Sequence, residues 1–157
     1  MLIFAAVMYL TEKRMEDKNT DLNKSIRLSN NVNDVPLLAE FVEGVCEKAN
    51  IDMLTMMQLN LAIEEAVVNV MDYAYPEGVV GEILVDAKVG NGVLQIVISD
   101  HGTPFDPTAK GEVDTTLSAE ERSIGGLGIH LIRSIMDEVG YERVGDNNVL
   151  TLTKRMQ

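Results

Sequence analysis

QLNLAIEEAVVNVMDYAYPEGVVGEILVDAKVGNGVLQIVISD, residues 58–100, changes its period once, and that change decides the architecture. In its first half Leu59, Ile63, Ala66, Val67 and Val70 recur at three- and four-residue spacing, the single apolar stripe of a helix. Pro76 and Gly78 stop that helix, which is expected from about Asp52 to Ala74. Two β-rich runs follow, Glu82 to Val89 and Val93 to Ser99, and Gly90-Asn91-Gly92 between them is a strong hairpin signal.

Working outward, Ser25 to Leu28 alternates polar and apolar residues as a half-buried strand does. Asn33-Asp34 offers a cap, and Pro36 fits the first turn of a helix whose stripe is Leu37, Leu38, Phe41, Val42 and Val45, ending near Asn50. On the other side, Asp100 to Ser123 lacks periodicity and reads as a mobile loop. A helix is expected from about Gly126 to Val139, and Tyr141 to Lys154 alternates around a turn at Gly145-Asp146-Asn147, a second hairpin. This order separates helices from strands. It predicts an α+β, two-layer α/β sandwich with helices on one face of a mixed, mostly antiparallel sheet.

With 157 residues, 46% of them hydrophobic, the chain has material for one sizeable core and not two. Residues 24–157 are expected to form that domain, and 1–23 an N-terminal extension. MLIFAAVMYL at the start is apolar but short of the ~20 residues that span a bilayer, and it lacks a basic leader and an Ala-x-Ala site. Residues before Met15 therefore read as an extension, from a mis-called start, that packs on a neighbour or frays. A net charge of −12, with 13 scattered basic residues, argues against nucleic acid and anionic membranes as partners. The single cysteine, Cys46, lies in an apolar helical pattern, which agrees with a reducing cytoplasm and with a buried, inert thiol.

Three stretches carry chemistry. Glu65, Asn69 and Asp72 are spaced i, i+4 and i+7, so they rise on one helix face beside the apolar stripe. A solvated face explains the two acids. A mid-helix Asn among valines, being a weak helix former, suggests a partner such as a metal ion or a phosphate oxygen through water. In ISDHGTPFDP, Asp100 ends a strand and Gly102 lets a flat ligand approach the backbone, while a carboxylate is suited to reading an exocyclic amine. Alone, an Asp-x-Gly marks turns everywhere; Pro104-Phe105-Asp106-Pro107 adds a rigid apolar corner. Finally, Ser123-Ile124-Gly125-Gly126-Leu127-Gly128-Ile129-His130 puts three glycines in four positions at a helix entrance, where bare backbone N–H groups and the helix dipole favour an anion. The spacing is neither a phosphate-binding GxxxxGK[ST] loop nor a dinucleotide fingerprint. His101 and His130 lack partners at metal-ligand spacing, and the nine methionines read as core filling or soft interfaces.

With these elements in this order, residues 24 to 155 resemble the GHKL (Bergerat-fold) ATPase superfamily and, within it, the small bacterial anti-sigma factor serine/threonine kinases. The resemblance implies ATP and Mg2+ as cofactors. It makes Glu65 the general base, Asn69 the magnesium ligand, and Asp100 the acceptor of the adenine amine, with Gly102 against the ring. Asp72, Tyr73 and Phe105 would border the nucleotide, and Gly125, Gly126, Leu127, Gly128 and Ile129 would cradle the phosphates. Residues Pro107 to Ile124 would form an ATP lid, from which Arg122 reaches the terminal phosphate. The chain departs from the family pattern at Pro104, which replaces the second glycine of DxGxG, and at Tyr73, where many anti-sigma kinases have His. Asp72 looks instead like the gyrase and chaperone branches. Asp146-Asn147-Asn148 stands where Gly-Thr-Thr often opens the last strand, which takes away the usual Thr contact to adenine.

The resemblance implies a cytoplasmic kinase that phosphorylates a small anti-anti-sigma (STAS-type) protein, regulates a sigma factor and pairs as a homodimer. The alternative is an ATP-binding module that sequesters a sigma factor or other partner without phosphorylating it; a structural protein with a decayed pocket is the third reading. The chain's length argues against a sensor histidine kinase or an ATP-driven clamp.

Overall fold

The computed structural model describes residues 21–109 and 124–156. Five strands make one sheet, β1 (Leu22–Ser29), β2 (Glu82–Gly90), β3 (Val93–Asp100), β4 (Glu138–Val144) and β5 (Asn147–Arg155), in the order β1-β2-β3-β5-β4. All four pairings are antiparallel. The parallel pairing anticipated from the sequence does not occur among the described residues: β3 and β4 run in the same direction, and the helix between them crosses the sheet, but β5 lies between the two strands. Three helices, α1 (Val35–Lys48), α2 (Met53–Tyr73) and α3 (Ile124–Ile135), cover one face.

Alternation along the strands explains the two layers. Leu94, Ile96 and Ile98 of β3 and Leu150 and Leu152 of β5 point to the helices and are buried, whereas their neighbours are only half-buried. From α2 the stripe Leu59, Ile63, Ala66, Val67 and Val70 meets them, each residue 5% exposed or less. Full burial of each larger aliphatic side chain contributes about 1.5–3 kcal/mol, so this seam fixes how α2 lies on the sheet.

Local interactions close the turns of the chain. Asp52 caps α2 through Thr55 N, 3.0 Å away, and Asn91 and Gly92 take φ of 53° and 73°, the left-handed pair that closes a two-residue hairpin. Two expectations need correction. Asp34 makes no side-chain cap on α1; its carboxylate accepts instead from Ser29 N (2.8 Å) and Oγ (2.9 Å), closing the end of β1, and Asn31 caps the short 3-10 turn before it. Helix α3 stops at Ile135 rather than Val139, because Glu138 and Val139 pair with Thr153 and Leu152 of β5. The expected N-terminal extension, apart from its last residues from Asp21 onward, lies outside the described residues.

Candidate functional site

The sequence brings α2 and the end of β3 together at one point. The carbonyl of Ala74, at the C-terminal end of α2, accepts from Thr103 N (2.7 Å) and Thr103 Oγ1 (3.0 Å). A side chain at Gly102 has no room: a Cβ there would sit 2.4 Å from Ala74 O and 2.8 Å from Ala74 C. Gly102 is thus a glycine because the helix end presses on it. Arg143 of β4 donates to Gly102 O at 2.9 Å. Tyr75 donates to Glu82 O at 2.7 Å and accepts from His101 N at 3.2 Å. Burial, together with the charges of Asp100 and Glu82, raises the Tyr75 hydroxyl above its ordinary pKa, against the lowering effect of His101 N–H, which keeps it a donor.

Asp100 occupies the inward phase of β3, behind Ile98, and is 3% exposed. One oxygen, Oδ1, accepts from Gly102 N (2.8 Å) and Asn148 Nδ2 (2.9 Å). The other, Oδ2, is buried and has no hydrogen-bond partner among the described residues. A buried carboxylate oxygen without a donor costs free energy, so a hydrogen-bond donor brought to Oδ2 would be strongly favoured.

Asn69 is the second such group. It is 3% exposed, and its Nδ2 is buried without an acceptor among the described residues. Glu65, one turn earlier, is half-buried, and Asp72, one turn later, is exposed. Opposite them stands Gly128, buried in α3. A Cβ on Gly128 would lie 2.4 Å from Glu65 Oε1 and 2.9 Å from Asn69 Nδ2. The helix carrying the carboxylate and the amide therefore meets the glycine-rich turn directly, with the missing side chain as the point of contact. Ile129, next along, faces the core at 1% exposure.

Tyr73 and Phe105 stack with ring centroids 5.3 Å apart and 27° between planes, an apolar wall that joins the end of α2 to the loop after Asp100. Gly125, Gly126 and Leu127 lie in the first turn of α3. Arg122 and most of the expected lid lie outside the described residues; within it, Pro107–Ala109 form a 3-10 turn, with Asp106 Oδ1 accepting from Thr108 N at 2.8 Å. His101 and His130 join no group of three or more His, Cys, Asp or Glu side chains able to hold a metal among the described residues. Mg2+ needs no such cage, since it keeps waters and takes phosphate oxygens alongside one or two protein oxygens. The Asn69 amide suits it: a half-turn of the side chain exchanges Nδ2 for Oδ1 at the same buried position.

Asn148 belongs to the site and was not singled out in advance. In Asn147–Arg155 the buried positions are 148, 150 and 152, so a polar residue sits on the core-facing phase of the strand, a signal open to inspection in the alternation itself.

A family model described as histidine kinase-like ATPase domain matches residues 28–154. The serine-protein kinase RsbW of Listeria monocytogenes serovar 1/2a is 34% identical over 102 residues, covering 62% of this chain and 65% of the relative. That of Halalkalibacterium halodurans is 30% identical over 134 residues, covering 78% of this chain and 81% of the relative. Against the Listeria protein the chain thus spans just under two thirds of the relative's length. Among solved structures, the RsbU and RsbW domains of Rv1364c from Mycobacterium tuberculosis superpose with a TM-score of 0.61 at 18% identity, over 85% of this chain and 32% of that one, a likeness of fold. No described helix is long and apolar enough to cross a membrane. Match and topology agree, and the chain belongs to the histidine kinase-like ATPase domain family.

Proposed function

We propose that this domain binds Mg-ATP and transfers its terminal phosphoryl group to a serine or threonine hydroxyl of a small anti-anti-sigma protein of the STAS type, in the cytoplasm, and so regulates a sigma factor. One observation carries the reading. Among the described residues three buried side-chain atoms lack partners: Asn60 Oδ1, Asp100 Oδ2 and Asn69 Nδ2. The last two sit on residues that are themselves fully buried, and the remaining fully buried polar side chain, Asn148, is fully bonded. Asp100 and Asn69 belong to the two motifs that the resemblance assigns to the adenine amine and the magnesium ion. The names of the relatives support the kinase and the serine acceptor.

In this reading Asp100 Oδ2 accepts from the exocyclic amine, and Tyr73 and Phe105 wall the base. Asn69 would hold the magnesium ion through its amide oxygen, and the bound ion would offset phosphate charge. Glu65 takes the proton of the attacking hydroxyl as that oxygen bonds to phosphorus and the bond to the departing ADP oxygen breaks. The N-terminal turn of α3, with Gly125 and Gly126, offers backbone N–H groups to phosphate oxygens. Little covalent chemistry is asked of the protein, so positioning and electrostatics in a small domain suffice.

The test is labelled ATP incubated with the purified protein and a STAS-type protein from the same genome. Phosphate on a partner serine or threonine, lost in Glu65→Gln, supports the proposal. Tight Mg-ATP binding with no transfer leaves the sequestering module instead, and no binding removes both. Sedimentation of the same sample reads the homodimer that belongs to this proposal.

A further inference from the structure

Resting on the nucleotide reading above, we infer that Asn148, braced by Tyr141, is the positioning residue that holds the Asp100 carboxylate in one orientation and thereby makes the site select a 6-amino purine over a 6-oxo purine.

Asn148 of β5 stands directly opposite Asp100 of β3 in the strand register and is 4% exposed. Its Nδ2 donates to Asp100 Oδ1 at 2.9 Å and to Thr103 O at 2.8 Å. Its Oδ1 accepts from Phe105 N at 3.1 Å and from Tyr141 Oη at 2.5 Å. Both donors and both acceptor positions of the amide are therefore in use, which leaves none for a ligand. The orientation is also fixed, because Thr103 offers only a carbonyl and Phe105 only an N–H on their respective sides. A half-turn would set oxygen against oxygen and N–H against N–H.

The consequence falls on Asp100. With Asn148 and Gly102 both donating to Oδ1, the carboxylate cannot rotate without losing two hydrogen bonds, so Oδ2 stays the oxygen without a donor. An exocyclic amine supplies that donor. A 6-oxo purine presents an acceptor to the same buried oxygen, and a site built for a hydrogen bond rejects a base that cannot make it. A threonine in this strand position has a single donor, and could not satisfy Asp100 and Thr103 together. Asparagine at 148 thus exchanges a direct ligand contact for rigidity. It also ties the base reader to the Thr103–Phe105 loop, and so to the wall formed by Phe105.

Asparagine to aspartate is nearly isosteric and replaces the donor facing Asp100 with an acceptor. The experiment measures the affinities of Mg-ATP and Mg-ITP for the wild type, Asn148→Asp, Asn148→Ala and Tyr141→Phe, with the melting temperature of each unliganded protein alongside. The wild type should prefer ATP by at least about a hundredfold. In Asn148→Asp and Asn148→Ala the preference should fall to within about tenfold. Tyr141→Phe, which keeps the ring and loses one brace, should give a value between. A purely structural residue would weaken both nucleotides equally, so an unchanged ATP-to-ITP ratio in the Asn148 variants overturns the inference and leaves ATP binding standing. Should the Asn148 variants fail to fold, Tyr141→Phe decides: an unchanged ratio there refutes it. A wild type that binds neither nucleotide fails the underlying reading, and this inference with it.

Discussion

Replacing Gly128 by alanine separates the chemistry of this site from its stability. The added Cβ would sit 2.4 Å from Glu65 Oε1, 3.1 Å from Glu65 Cδ and 2.9 Å from Asn69 Nδ2. Non-bonded heavy atoms sit comfortably at roughly 3.5 Å, so the carboxylate must retreat by about 1 Å. Both obstructing groups are ends of side chains, and they can move without displacing either helix. Rotating them off their preferred angles costs about 0.5–1.5 kcal/mol. Alanine in a helix is favoured over glycine by about 0.8–1.0 kcal/mol, which largely offsets that cost. Urea unfolding of Gly128→Ala should therefore stay within about 1 kcal/mol of the wild type. Phosphotransfer should drop by about a hundredfold, since a displacement of 1 Å in a catalytic group has that effect. The assay is the initial rate of partner phosphorylation, read beside the urea midpoint. A variant that keeps its full rate would show that Glu65 and Asn69 do not work at the position where Gly128 meets them. A large loss of stability would show that the contact is between helix backbones.

Gly102→Ala should behave in the opposite way, because its Cβ meets the backbone of Ala74 and that backbone is held by Thr103; the urea midpoint should report a loss of about 3 kcal/mol. Asn69→Leu removes a buried donor that has no acceptor among the described residues, so the unliganded protein should hold or gain stability by about 1 kcal/mol while Mg-ATP binding, read by calorimetry, disappears. Burial pushes the Cys46 thiol from 9.0 up to about 11. With the folded value above the unfolded one, its contribution is complete below pH 9 and is lost as pH rises toward 11, which thermal melts across that range would show. In the native protein at pH 8 iodoacetamide should label Cys46 at least about a hundredfold more slowly than after unfolding.

How far the fold could be read in advance follows from which interactions are local. The Asn91-Gly92 turn and the stripe along α2 involve residues within one hairpin or on one helix face, and sequence neighbours suffice to predict them. The end of α3 was misplaced because helical periodicity continues past Ile135, and only pairing with β5 shows that the chain has become a strand. The close approach of Ala74, far away in sequence, to the space a side chain at Gly102 would need is also invisible to local patterns. The all-antiparallel sheet likewise depends on β3 pairing with β5 across the whole α3–β4 segment. Within the site, Glu65, Asn69 and Gly128 were legible as motifs, but their mutual contact is tertiary. Asn148 was legible in principle, as a polar residue on the buried phase of a strand, and was read only as a departure from a familiar pattern.

Mg-ATP binding by the wild type, Asn69→Ala and Asp100→Ala, followed as the rise in unfolding free energy with nucleotide, tests most directly whether the three motifs serve one ligand. At a hundred times its dissociation constant, Mg-ATP should stabilise the wild type by about 2.7 kcal/mol, and each substitution alone should abolish most of that gain. No stabilisation of the wild type, or full stabilisation of both variants, would contradict the assignment of these buried groups to a common nucleotide.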